Sequence, residues 1–505
     1  MTSTNSTSFS YLSTAGNRFT GLASGMDIDS LVEKLMKAES AKMEKLQQQK
    51  QKYEWQRDAY RSINVKLEAF RTEAFDKYKP STFSAKSASV SDSSKVSVTA
   101  SSSAVGSLEI SSVTSLAKGA RLKIDLNNSP ANGSSTLKDL GLNSDKGELT
   151  FNVLQKDGSM KTTTIEYTET DTIDQLVSKI NNSGAGLTAI FGNGQLSLST
   201  SVTGAVDGGS LQVLSDTGDL FKSGNNPITA NGQNAEYTVN GITKTSQTNS
   251  FSELGYSITL NKTFAETDGA VSISSTTDTQ SIIDQVKSFV ELYNGLVESM
   301  NTEIKGKKDY NYQPLTEAQK SAMSEDEIKK WEEKAKQGTL RNDTAISSIV
   351  SNMRTAIYSI GTDKDSKYNA LFNIGITTSA EYKDGGKLVI DEKKLKEAIE
   401  ANPEAVSDLF TRAADTNGSG DKGGLITQLR EIAKTGIDKI SAKAGKEGSL
   451  ENSYTLGKTL KSVADRIATW KDKLKSIEER YFKQFSAMEA AIQKANTQAS
   501  MFMQG

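Results

Sequence analysis

The chain of 505 residues contains no cysteine and no histidine. The first absence excludes disulfides, thiolate metal sites and cysteine nucleophiles. The second removes the usual proton shuttle at neutral pH and the commonest metal ligand. Carboxylates, lysines, tyrosines and serines could still perform chemistry, but no constellation of them stands out. The expectation is a protein that is not an enzyme, with no cofactor, no metal and no catalytic residue. Net charge is missing as well: 60 Lys+Arg against 62 Asp+Glu leave −2, so bulk charge points neither to nucleic acid nor to anionic lipid. No stretch of eighteen apolar residues occurs, which argues against membrane insertion. The opening MTSTNSTSFSYLSTAGNRFTG has neither the basic n-region nor the apolar h-region of a secretory signal. The chain is therefore expected either to stay in the cytoplasm or to leave by a route that reads no such signal.

What the chain does have is a heptad seam near its end. Leu460, Val463, Ile467, Trp470, Leu474, Ile477 and Tyr481, then Met488, Ala491, Ala495 and Phe502, recur in steps of three and four. Only Gln484 and Gln498 interrupt it, and it lasts about six repeats, longer than one globular helix needs. Tyr53, Tyr60, Ile63, Leu67, Phe70 and Ala74 repeat the alternation near the other end, before Pro80 stops the helix. The bland reading is one face of an intramolecular bundle. The length and the match between the two ends favour terminal coiling, and with it assembly.

Between the ends the period changes. Residues 1–20 are rich in Ser, Thr and Asn and are expected to be disordered. A helix follows, with N-cap candidates from Ser24 to Asp29, a capping-box spacing at Ser30 and Glu33, and an apolar stripe of Ile28, Leu31, Val32, Leu35, Met36 and Ala38. The run QQQKQK (Gln47 to Lys52) predicts a break or a stretch exposed on both sides. From Phe83 to about Thr276, segments such as KVSVTAS, ELTFNVL, GQLSLST and YSITLNK alternate with period two between Gly, Asn and Asp clusters. One short helix, capped by Asp171 or Thr172, interrupts them. Helical periodicity returns after Thr279, with further caps at Asp343, Asp391 and Asn402.

The fold class read from this is α+β and multidomain: terminal coiled-coil helices form a helical stalk or leg with β-rich head domains inserted. Residues 21–82 with 276–505 make the leg. Residues 83–122 with 232–275 make an inner β-rich domain, and 123–231 an outer one nested within it.

Two motifs lose to plainer readings. DTNGSG, from Asp415, opens like a calcium loop, but its twelfth position is Ile426 rather than a bidentate Glu, so DTNGSGDKGG reads as a linker. FGNGQ and VDGGS lack the Lys-Ser/Thr of a phosphate loop and read as hairpin turns.

Several segments carry a family resemblance. GLASGMDIDSLVEKLMKAES (Gly21 to Ser40), LEISSVTSLAKGARL (Leu108 to Leu122) and FVELYNGLVESMN (Phe289 to Asn301) resemble the flagellar filament cap, or hook-associated protein 2, family. So do PLTEAQKSAMSEDEIKKWEEKAKQGTLRNDTAI (Pro314 to Ile346), IGITTSAEYKDGGKLVIDEKKLKEAIEANPEAVSDLF (Ile374 to Phe410) and RYFKQFSAMEAAIQKANTQASMF (Arg480 to Phe502). The matches keep their order over nearly the whole chain; residues 123–231 share only general texture.

The N-terminal signature residues are Gly21, Leu22, Gly25, Met26, Asp27, Leu31 and Leu35, with Met26 where the family often has a polar or aliphatic residue. The docking seam is Leu460, Val463, Ile467, Trp470, Leu474, Ile477, Tyr481 and Met488. The resemblance implies export through the flagellar type III channel, secretion to the filament tip, and a closed ring of copies, five being the commonest number. It implies flagellin, the hook–filament junction proteins and an export chaperone at the C-terminal segment as partners. Apart from the resemblance, Ser/Thr-rich β domains can bind glycans or mucin, which makes host glycans a further candidate partner of the head. The function implied is to retain flagellin and promote its folding and polymerisation, hence filament elongation and motility, with QQQKQK keeping one leg contact weak. The alternatives are another exported axial protein, a flagellin or a junction protein, and a surface adhesin acting through the β domains.

Overall fold

The computed structural model describes residues 25–126, 132–140, 142, 144–221, 227–358, 367–415 and 421–503. The chain divides into two compact units, Met1–Phe83 with Ile282–Gly505, and Ser84–Ser281. The architecture is α+β, with long helices towards both ends and several separate sheets between them.

The first unit is organised by a single helix, Ile28–Asp76. Asp27 caps it, accepting from the Ser30 N–H at 3.0 Å and the Ser30 hydroxyl at 2.6 Å. Ser30 and Glu33 are therefore not the capping box the spacing predicts. Ser30 already lies in the first turn and serves as donor to the true cap. Nor does QQQKQK break the helix or stand exposed on both sides. Gln48 donates to the Pro314 carbonyl at 2.8 Å, Gln49 to the Tyr53 hydroxyl at 3.2 Å, and Lys50 pairs with Glu54 at 2.8 Å. With partners for its side chains, a polar run keeps helical propensity and is half-buried.

Further along this helix Tyr60, Ile63, Leu67, Phe70 and Ala74 are fully buried. They face the Leu425–Ala444 helix, which packs in turn on Thr344–Ile357. Gly436 lets these helices approach closely, since a Cβ there would sit 2.8 Å from Ile349 Cδ1. A polar belt crosses the bundle. Asp343 caps Thr344–Ile357 by accepting from the Ala345 and Ile346 N–H groups at 3.0 and 3.1 Å. It also accepts from the Tyr60 hydroxyl and from Lys443 Nζ, the latter at 3.0 Å. One level along, Asn64 donates to Ser441 at 3.0 Å. Where the chain leaves this unit and returns to it, aromatic rings lock together: Phe83 stacks on Phe410 at 4.8 Å, and Phe289 meets Phe410 edge-on at 5.7 Å.

The second unit holds two cores. Around the first (Leu108, Ile110, Tyr237, Tyr256, Ile258, Val271 and Ile273 among others) lies an antiparallel sheet of five strands. Their order is Lys86–Val90, Val271–Thr277, Leu108–Ser115, Ala235–Val239 and Ile242–Ser246. A three-stranded sheet, Ser250–Glu253, Tyr256–Leu260 and Val96–Ala100, completes it. The second core is built on Leu149, Phe151, Val153, Leu196, Leu198 and Leu211. The Ile173–Asn182 helix adds Ile173, Leu176 and Ile180 to it, and Thr172 with Gln175 forms its capping box. Asn193-Gly194 of FGNGQ and Asn240-Gly241 both have positive φ at two successive residues, the geometry of tight hairpins.

Excised residues 84–281 should be soluble and β-rich by circular dichroism, because both cores are complete within that unit. In the helical unit, burial opposes ionisation of Asp343, but bonds from Tyr60, Ile346 and Lys443 outweigh it and hold the carboxyl below its ordinary value. The folded state thus resists protonation longer than the unfolded chain. Its stabilising contribution is whole above about pH 4 and is lost as pH falls towards the lowered folded value. Urea midpoints from pH 3 to 7 should therefore fall less steeply at the acid end for Asp343→Asn than for wild type.

Candidate functional site

The long helices pair antiparallel along one seam. The closing helix, Thr455–Met503, runs back against the first half of Ile28–Asp76. Three contacts fix the direction: the Arg61 guanidinium over Tyr454 at 5.5 Å, Lys42 Nζ over Trp470 at 5.5 Å, and the Tyr481 hydroxyl donating to Glu39 at 3.2 Å. Rising numbers on one helix meet falling numbers on the other.

Val463, Ile467, Leu474 and Ile477 bury their side chains against Ile28, Val32, Met36, Met43 and Leu46. Trp470, Tyr481 and Tyr53 border this core half-buried, and Leu460 is buried as well. The partner of the closing seam is therefore residues 28–53 of the opening helix. Tyr60 to Ala74, the stretch whose spacing pointed to it, continue the same helical stripe but meet the Leu425–Ala444 helix. The reason is length. Both helices rise about 1.5 Å per residue. Counting back from Arg61 to Ile28, and forward equally from Tyr454, brings the ends level near Ala487. Phe482 and Phe485 are the last side chains in the seam.

Beyond that point the closing helix runs past the start of the opening helix at Ile28. Met488 is half-buried, Ala491 and Ala495 are exposed, and Met501 is 71 % exposed. The side chain of Phe502 lies outside the described residues, as do Gly21 and Leu22 of the signature. Gly25 takes positive φ just before the cap, and the Ser30 hydroxyl and N–H hold the Asp27 carboxyl below the usual range. Met26, Leu31 and Leu35 are 37, 37 and 38 % exposed. The apolar stripe expected near the start is thus two rows: Ile28, Val32 and Met36 turn inward, while Leu31, Leu35 and Ala38 form an open side. Met43, Leu46, Phe482 and Phe485 were not singled out by spacing. Extending the inner row by seven from Met36 finds Met43.

The arrangement offers apolar helical surface and no reactive group. Among the described residues no set of three acidic side chains is gathered as for a metal, and no helix is long and apolar enough to cross a membrane. Long paired end helices with a β-rich insertion define a helix-anchored assembly subunit.

Family models match along the chain in order: flagellar hook-associated protein 2 N-terminus over residues 24–120, flagellin hook IN motif over 148–202, and flagellar hook-associated protein 2 C-terminus over 232–497. The chain belongs to the flagellar hook-associated protein 2 family. Flagellar hook-associated protein 2 of Halalkalibacterium halodurans is 28 % identical, with 96 % of this chain and 99 % of the relative covered. The Escherichia coli K12 protein of that name is 25 % identical over 96 % and 97 %. The crystal structure of the D1-D2-D3 domains of the flagellar cap protein FliD from Escherichia coli shares the fold, with a TM-score of 0.53 and 22 % identity. It covers 77 % of this chain and 96 % of that one. The resemblance read in the sequence holds, and the axial-protein and adhesin alternatives are not favoured.

The geometry sets an order of backbone opening. Amide hydrogen exchange should be fast over residues 488–503 and slow over 460–477 of the same helix. Uniform protection would mean the extension is already covered in solution.

Proposed function

We propose that this protein caps the distal tip of a bacterial flagellar filament, where it holds emerging flagellin and promotes its folding and insertion. Family membership supports the capping role. The observation that carries the mechanism is the closing helix that outruns its partner, with the apolar row of Leu31 and Leu35 left open beside it. Flagellin ends of similar amphipathic character would complete these surfaces by knobs-into-holes packing. The work done is assembly without bond chemistry, in keeping with a chain that has no histidine or cysteine. In this reading several copies form a closed ring, five as the working number, and hook–filament junction proteins are its first platform. The terminal extension would be the segment an export chaperone covers before secretion.

The docking residues are then of two kinds. Val463, Ile467, Leu474 and Ile477 build the leg by pairing within the chain. Leu31, Leu35, Met488 and the residues beyond are the surface the leg presents.

Substitutions separate the two. Ile467, Leu474 and Ile477 to Ser should cost on the order of 2–5 kcal/mol per site and unpair the helices while the β signal persists. Leu31→Ser with Leu35→Ser should leave the inner seam paired, because Leu31 and Leu35 lie outside the buried cluster that joins the two helices. In a strain lacking the native gene both variants should secrete unpolymerised flagellin and swim poorly. Lys471, Lys475 and Glu479 to Ser, on the exposed side of the closing helix, should complement. Normal filaments with the Leu31/Leu35 variant would show that this row is not a docking surface.

A further inference from the structure

Beside the opening helix, the groove between Thr344–Ile357 and Leu425–Ala444 widens into a recess of about 870 Å³. Arg71, Lys422, Arg430 and Lys434 line it against a single acid, Glu431, which lies 3.8 Å from Lys434. Among the described residues Arg71, Lys422 and Arg430 have no ion pair. Nearby guanidiniums are treated differently. Arg412 holds Asp421 through two bonds at 2.9 and 3.1 Å, and Arg61 donates to the Ala444 carbonyl at 3.1 Å. Arg430 instead keeps a buried Nε without an acceptor, while its guanidinium lies 4.5 Å over the Phe75 ring. The ring holds the guanidinium in one plane at the wall of the recess.

The recess runs on into a hollow of about 120 Å³ that shares Asn352, Glu431 and Ile432 and ends at Lys439. The resulting cleft is far longer than one small anion requires. Its lining mixes the Asn352 amide and the Ile432 side chain with the two guanidiniums, as a peptide with both backbone and side chains to satisfy would require. We infer that this cleft binds an acidic peptide segment, with carboxylates seated bidentately on Arg71 and Arg430. The inference does not rest on the capping role.

Fluorescence anisotropy of labelled hexaglutamate with the full chain tests it. Saturable binding that weakens with salt is expected, at least tenfold weaker in Arg71→Gln/Arg430→Gln of unchanged circular dichroism. Arg430→Lys should recover little, because an ammonium lacks the planar fork. Hexaglutamine should not bind, and inorganic phosphate should compete only at much higher concentration. Should the double variant unfold, the exposed pair Lys422→Ala/Lys434→Ala must still weaken binding several-fold. Absent binding, equal affinity in the variants, or displacement by phosphate at peptide-like concentration would overturn the assignment.

Discussion

One stripe along the opening helix organises the helical unit. From Ile28 to Ala74 it presents a buried side chain at nearly every turn, and the two ends of that row are covered by different helices. The closing helix takes the first half and the Leu425–Ala444 helix the second. Burying each Leu, Ile or Met on this row contributes roughly 1.5–3 kcal/mol. A helix this long gains most of its stability from such packing, because propensity alone is marginal in water. The place where cover changes hands, at Arg61 and Tyr454, fixes how far the closing helix can stay paired. The length of its extension past Ile28 follows from that register.

Apolar seams alone specify register weakly, since a shifted pairing buries nearly as much. The polar belt through Tyr60, Asp343 and Lys443, with the Asn64 amide donating to Ser441 beside it, ties three helices at fixed positions. Asp343 is doubly committed, as the cap of one helix and as the acceptor for two others. A slip would leave this partly buried carboxylate with its cap donors alone, without Tyr60 and Lys443, which costs more than the belt contributes when formed. The belt lies in the covered half of the bundle, away from the outrunning extension. Rigidity and availability thus sit on different helices: the belt joins the opening helix to Leu425–Ala444, and the extension ends the closing helix.

Much of this was legible in the residues. The closing seam, the Thr172, Asp343, Asp391 and Asn402 caps and nine of the strands were all readable as spacing or cap chemistry. Failures came where a local rule had two solutions. Asp27 and Ser30 are both good caps, and tertiary packing of Ile28 decides for Asp27. Leu31 and Leu35 look like core in a helical count, but they lie at the edge of the stripe, and the closing helix covers only the Ile28, Val32 and Met36 side of it. Strands such as Lys86–Val90 and Ser250–Glu253 escaped notice because their inward positions carry small or half-buried residues. The Arg430 recess has no sequence signature, for it depends on which helices meet.

The open row also bears on how firmly a cap can hold. Leu31, Leu35 and Met26 have already lost more than half of their exposure within the chain. Completing their burial can therefore return only part of the roughly 1.5–3 kcal/mol that a full side chain yields. Three such residues give an interaction of a few kcal/mol before the cost of association is met. Such contacts form and break readily, whereas the inner seam, with its side chains wholly buried, does not. An assembly factor that must stay attached while subunits are added beneath it needs this contrast. On the proposed docking reading, each leg is durable in itself and weak in its grip, so that holding rests on several copies acting together.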